Sequence, residues 1–396
     1  MDAASTISSF DSVTPEVLRE RASLKWARDP QAIGAWVAES DLGTAPAITA
    51  VLEQAVQDGA FGYLPPALSA AVAQATANFQ ARRFGWQVDA ADVSLLPDVL
   101  CAFAALLDRH SRPGSAVIVP TPAYMPFLTI PSMYGRKCVQ VPSRQEPGPD
   151  GSSAWSLDLD GIAAAMRDGA GVLVLCNPWN PVGRVLSTVE LDAVADLACR
   201  YGVTVFADEI HGPLVLDPRL QHVPYASRPG ADPALTFTAT AASKGWNVAG
   251  LKCAQLIASG GARAKWESSA ISRHLAFEAS ILGAKAAVAA LSPDGVAWLD
   301  VLRGYLWGNA QVLTHELSEV PGLTLSCPEG TYLAWLDLTG TRAASDPAGH
   351  LLREAQLVVN EGEACGRGYE SCCRLNLATS RSILTEMAGR ISQAVA

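Results

Sequence analysis

Four apolar runs in the middle of the chain are each followed closely by side chains that can do chemistry. Ser115–Val119 leads through a proline-rich turn to Tyr124, and Gly171–Cys176 leads to Asn177 and Asn180. Val203–Ala207 is followed by Asp208 and His211, and Leu235–Thr240 by Ser243 and Lys244. A lysine amine can condense with a carbonyl, and a carboxylate can keep a ring nitrogen protonated. An amide can hydrogen-bond a phenolic oxygen, and an aromatic ring can stack on a flat face. Together these groups suit a flat, anionic, carbonyl-bearing cofactor, and pyridoxal phosphate (PLP) has that description. Its phosphate needs donors. Ser243 offers a hydroxyl, and Pro97-Asp98-Val99-Leu100 opens a helix whose free N–H groups suit an anion.

The elements that must position these groups are readable from pattern. Each run is five or six residues long and apolar on both faces or nearly so, as buried parallel strands are. In an open α/β sheet, ligands bind past the C-terminal strand ends, which is where the polar residues fall. Ser187-Thr188-Val189-Glu190 reads as a capping box opening a crossover helix, with Leu191, Val194, Leu197 and Ala198 on one face. Thr44 is expected to cap a helix that carries Ile48, Val51, Leu52 and Ala55 and stops at Asp58-Gly59. Trp298–Glu316 reads as a long amphipathic helix. Tyr332–Leu336 and Cys373–Leu377 read as strands of a second, smaller sheet. We therefore place a large α/β domain at 46–280 and a smaller α+β domain at 1–45 and 281–396.

Composition narrows the class. A chain of 396 residues, 49% of them hydrophobic, fits two domains with cores that need no staples. A net charge of −10 disfavours nucleic acid and anionic membranes as partners. No apolar run is long enough to span a bilayer, and no secretory signal is visible in the polar start. Nine cysteines without a C-x-x-C pair argue against a disulfide framework or a structural zinc site. They read as free, mostly buried thiols in a reducing cytoplasm. Six histidines are scattered with no H-E-x-x-H, so no metal site is expected and a metal-dependent hydrolase lacks ligands.

Three segments go further. Cys176–Arg184 (CNPWNPVGR), Asp208–His211 (DEIH) and Ser243–Leu251 (SKGWNVAGL) resemble the signatures of the fold-type I, class I/II aminotransferase superfamily. With Trp36–Asp41 (WVAESD), Phe61–Tyr63, Thr121–Phe127, Thr331–Trp335 and Arg374–Ser382, the chain most resembles the MalY/PatB branch of cystathionine β-lyase-like C–S lyases. That resemblance implies a mainly parallel, seven-stranded type of central sheet with crossover helices, plus a smaller α+β domain. It also implies roles. Lys244 carries the Schiff base and shuttles protons, Asp208 meets the pyridine nitrogen, Asn180 the phenolic oxygen, and Tyr124 the ring face. His211 lines the cofactor, a satisfied structural histidine being the other reading. Lys252 stands where many relatives place a phosphate-binding arginine, and an exposed strand lysine is its other reading. Tyr63 resembles a tyrosine that reaches the neighbouring subunit's phosphate, which makes the active unit a homodimer. Arg374 matches the arginine that grips the substrate's α-carboxylate, Ala38 lies where backbone approaches that carboxylate, and Arg381 is a weaker candidate.

The resemblance implies β-elimination of a thiol from a cysteine S-conjugate or cystathionine-like amino acid, releasing pyruvate and ammonia. Transamination of an amino acid uses the same residues and stays open, as does a biosynthetic variant of the lyase. The family's ADMDF stands here as Ala38-Glu39-Ser40-Asp41-Leu42, and its PGVVP as Pro97-Asp98-Val99-Leu100-Cys101. These departures leave room for a specialised thioether, sulfoxide or selenium substrate. A regulator that only binds another protein fits poorly with intact Lys244, Asp208, Asn180 and Arg374.

Overall fold

The apolar runs form strands because every side chain in them has an apolar place to go, above or below one sheet. The structure, a computed structural model, describes residues 2–147 and 153–395. The strands are β1 Val93–Leu96, β2 Val117–Thr121, β3 Cys138–Pro142, β4 Val172–Cys176, β5 Thr204–Asp208, β6 Thr236–Ala241 and β7 Ala254–Ile257. They lie in the order β1-β7-β6-β5-β4-β2-β3. β7 is antiparallel to both neighbours, and the other adjacent pairs are parallel. Alternation then sorts the side chains. Val117, Val119, Val174, Phe206 and Phe237 pack on one face, and Ile118, Leu173, Leu175, Val205 and Ala207 on the other.

Each of the four predicted strands is present but starts one or two residues later than the apolar run. Three of the four also run one or two residues further at the far end. Asp208, for example, is a register partner of both Cys176 and Ala239. The crossover helix Thr188–Tyr201 carries the expected capping box: Glu190 N donates to Ser187 Oγ, and Ser187 N to Glu190 Oε2. It ends at Gly202, whose φ of 65° suits a residue without Cβ.

Thr44 does not cap its helix. Pro46 already occupies the first helical position of Pro46–Gln57, so Ala45 is the flanking residue and Thr44 falls one residue too early. Its hydroxyl donates instead to Trp246 O at 2.6 Å, tying the entry of this helix to the segment after Lys244.

A second, antiparallel sheet contains β8 Thr324–Ser326, β9 Leu333–Asp337, β10 Asn360–Glu361 and β11 Cys372–Asn376, in the order β8-β9-β11-β10. The long helix runs from Pro293 to Ser318, five residues earlier than expected because Ser292 caps it. The two ends of the chain meet here. Ile33–Gly34 pairs with Leu357–Val358, and Phe10, Trp26, Leu333, Leu375 and Ile391 share one buried cluster with Trp298. No helix among the described residues is long and apolar enough to cross a membrane. Only four of the nine cysteines, Cys253, Cys365, Cys372 and Cys373, are buried, and Cys199 is exposed.

Candidate active site

The C-terminal ends of β4, β5 and β6 bring Asn180, Asp208 and Lys244 to one edge of the sheet. Asp208 is buried; its Oδ1 accepts the Ile210 N–H at 3.2 Å, and Cys176 Sγ stands 4.0 Å from Oδ2. No ion pair reaches it among the described residues. Burial therefore pushes the carboxyl up to about 7, against the pull of the Ile210 N–H and the Lys244 charge. Lys244 sits on the short turn Ala242–Gly245 that leaves β6, and its Nζ donates to Ala38 O at 3.0 Å. Burial, helped by the Arg374 cation, brings its amine down to about 8.

Arg374 approaches from the second sheet, on β11 between its register partners Trp335 and Asn360. It is only 3% exposed. Its Nη1 donates to Asn180 Oδ1 at 3.0 Å, and its Nη2 to Trp36 O at 2.9 Å and to Asn360 Oδ1. All three acceptors are neutral, Nε has no partner, and no ion pair reaches the guanidinium among the described residues. A buried cation without a counter-charge is costly, and such an arrangement suits a site that receives an anion.

Residues 36–41 form a strap across the site, held along nearly every residue. Asn376 Nδ2 donates to Val37 O and Glu39 O, both at 2.7 Å. Ala38 O accepts from Lys244 and, at 3.1 Å, from the Tyr332 hydroxyl. Asn247 grips Ser40 on both sides, accepting its N–H and donating to its carbonyl. Asp41 is buried against Lys25 Nζ at 2.8 Å and Trp26 Nε1 at 2.9 Å. The strap therefore links Arg374, Lys244 and the N-terminal helices in one network.

The remaining candidates divide. Tyr124 is half-buried after β2, edge-on to Phe127, and burial raises its phenol. His211 is buried with Nδ1 unpartnered, edge-on to Tyr332, and burial holds its imidazole well below the usual range. Because β7 runs antiparallel, Lys252 at its start lies at the same edge as Val99 and Leu100, which open the helix Val99–Ala105 after β1. Lys252 Nζ pairs with Asp98 Oδ2 at 2.9 Å, while Asp98 Oδ1 caps the helix at Cys101 N. Burial alone would raise the Asp98 carboxyl, but Lys252 and the Cys101 N–H outweigh it and hold it low. Ser243 is half-buried beside Lys244. Tyr63 is on the surface, 78% exposed and stacked on Phe277. Arg381 does not join Arg374; its guanidinium lies 5.1 Å over the Tyr305 ring. Among the described residues, no group of three or more His, Cys, Asp or Glu could hold a metal.

The chain is similar to known proteins along nearly its whole length. The family profile described as "Aminotransferase class I and II" matches residues 36–391. The chain belongs to that family. It is 37% identical to the cystathionine β-lyase of Corynebacterium glutamicum over 95% of this chain and 98% of that one. It is 30% identical to the protein MalY of Escherichia coli, over 90% of each. Among solved structures it superposes with a TM-score of 0.87 on a Corynebacterium diphtheriae protein assigned as a PLP-dependent β-cystathionase. That match is at 35% identity, over 96% of this chain and 98% of the other. The fold is the α/β fold of the fold-type I PLP-dependent aminotransferases.

Some residues of this network were not singled out from sequence. Tyr332, Asn360, Asn376 and Asn247 act on backbone or on Arg374 from positions far apart in the chain. Tyr332, Asn376 and Asn247 lie inside the motifs TYLAW, RLNLATS and SKGWNVAGL, so the signal was present without a role attached. Asn360 lies in no such motif.

Proposed function

We propose that the protein is a PLP-dependent C–S β-lyase, which cleaves cystathionine or a related cysteine S-conjugate to a thiol, pyruvate and ammonia. One observation carries this reading. A buried carboxyl, Asp208, and a buried guanidinium, Arg374, both lack an ion-pair partner among the described residues and share one site with a lysine amine of lowered basicity. A cofactor with a protonatable ring nitrogen supplies the missing cation, and an amino-acid substrate supplies the missing carboxylate. The residues fit PLP on these grounds and on the unpartnered, buried Nδ1 of His211.

Arg374 exchanges its neutral acceptors for the substrate's α-carboxylate, which its planar fork can hold through two charge-assisted bonds. Asn180 presents Oδ1 to Arg374, which leaves Nδ2 free to donate to a phenolic oxygen. Asp208 holds a ring N–H, and a cation beside it brings its carboxyl back into the ionised range. Tyr124 stacks on the ring. Ser243, the Val99 and Leu100 amides and Lys252 hold the phosphate, with Asp98 turned onto Lys252. PLP, when bound, supplies the sink for the electron pair freed when the Cα–H bond breaks. Lys244 Nζ takes that proton; with a pKa near 8, part of it is free base at neutral pH. Ala38 O and the Tyr332 hydroxyl set where Nζ rests between transfers.

These groups could equally return the proton and transaminate. The relatives named cystathionine β-lyase and β-cystathionase support elimination. The exposed Tyr63–Phe277 stack fits a homodimer in which Tyr63 reaches the neighbouring phosphate site. An odd number of cysteines without a C-x-x-C pair fits a cytoplasmic protein. The reading keeps the division into a PLP-binding domain at 46–280 and a smaller one from both ends. The test is acceptor dependence: L-cystathionine turnover is expected to proceed with no keto acid present. Turnover that requires a keto acid would assign an aminotransferase instead.

A further inference from the structure

Four arginines line a second cleft, of about 420 Å³. Arg82 and Arg83 come from the end of the helix Pro66–Phe84, Arg219 from the loop after Asp217, and Arg303 from the long helix Pro293–Ser318. This gathering runs against the chain's overall charge of −10. The local carboxylates do not neutralise it. Asp300 Oδ1 is shared, accepting from Arg83 Nη2 at 2.6 Å and from Arg303 Nη1 at 3.1 Å. Asp217 is taken by Arg219, whose Nη2 donates to Oδ2 at 2.7 Å. Arg82 donates only to Leu291 O among the described contacts. Among the described residues, the four guanidinium groups thus share two ion-pair partners, Asp217 and Asp300.

A buried histidine lies in the wall. His222 is 1% exposed; its Nε2 engages Glu209 Oε2 at 3.1 Å, and its buried Nδ1 has no partner. Gln221, beside it, reaches Arg83 O at 3.3 Å. The cleft is therefore a cationic, ligand-sized space, and it contains none of the residues assigned to catalysis.

We propose that this cleft binds a small polyanion of the phosphoryl class, one carrying two anionic groups. Guanidinium forks match phosphoryl oxygens in geometry, and two groups can neutralise the charge that Asp217 and Asp300 leave uncompensated. Arg82 and Arg219 hold the outer group. Arg83 and Arg303, already crowded onto one carboxylate, hold the inner one. This inference is independent of the lyase reading, because it uses no residue of that site.

The test is calorimetric titration of the PLP-loaded enzyme with inorganic pyrophosphate, the loading keeping the cofactor's own phosphate site filled. Saturable binding is expected, weakened at least roughly tenfold in an Arg82→Glu/Arg219→Glu double variant, since each charge-assisted bond lost is large enough to register. Both side chains are on the surface, so the variant should fold, and an unchanged melting temperature would check this. Arg82→Ala, a milder change, should weaken binding by a smaller factor. Absence of saturable binding at millimolar pyrophosphate, or equal affinity in wild type and double variant, would overturn the proposal.

Discussion

Replacing Arg374 by lysine keeps the positive charge and removes the fork, so it isolates what the guanidinium geometry contributes. In the structure the two terminal nitrogens already engage three oxygen acceptors, on Asn180, Trp36 and Asn360. Lysine offers a single nitrogen, and a substrate carboxylate then loses one of two charge-assisted bonds. Each such bond is worth about 1.5–3 kcal/mol when buried. The expected loss in kcat/KM is therefore roughly 10- to 150-fold. The carboxylate is held similarly before and during bond breaking, so most of the loss should appear in KM rather than kcat. Arg374→Gln, which removes the charge as well, should lose considerably more. Steady-state elimination kinetics on purified variants, with melting temperatures to confirm folding, provide the assay. A kcat/KM within threefold of wild type, or a loss confined to kcat with KM unchanged, would refute the assignment of Arg374 to the α-carboxylate.

Lys244→Ala should abolish turnover and the visible absorbance of bound cofactor; turnover retained by the variant would contradict the role of this amine. Asp41→Asn leaves the buried Lys25 ammonium without its counter-charge and should destabilise the protein by about 3–5 kcal/mol, read as a lower urea midpoint. For the cofactor-free protein, Asp208 predicts a pH effect of defined sign. Its folded pKa, raised to about 7, lies above the unfolded value, so its contribution is complete below about pH 4 and is lost as pH rises through 7. Asp208→Asn should lack this loss, which is on the order of a few kcal/mol, and the two unfolding curves should separate across that interval. Parallel pH dependence in both proteins would show that Asp208 is not the titrating group.

Local pattern carried far in this chain. The buried strands, the Ser187–Glu190 capping box and the polar residues at strand ends were all legible, because each depends on neighbours within a few positions. Thr44 shows the limit: a good capping residue was displaced from that role by Pro46, two positions later. What pattern could not reveal was pairing across the fold. Lys252 meets Asp98 only because β7 runs against its neighbours, which brings the segment just before it to their C-terminal edge. Lys25 and Asp41 form a buried pair that hydropathy alone reads as two surface charges. The strap held by Asn376, Asn247 and Tyr332 is likewise a product of tertiary contact, in which side chains satisfy backbone groups that belong to no strand.

The central claim is that this constellation eliminates a thiol rather than exchanging an amino group. The most direct measurement is the pyruvate released per active site from L-cystathionine by the purified, PLP-loaded enzyme with no keto acid added. Release in many-fold excess over enzyme is expected, continuing until substrate is consumed. Release that stops at or below one equivalent, from protein that retains its bound-cofactor absorbance, would contradict it.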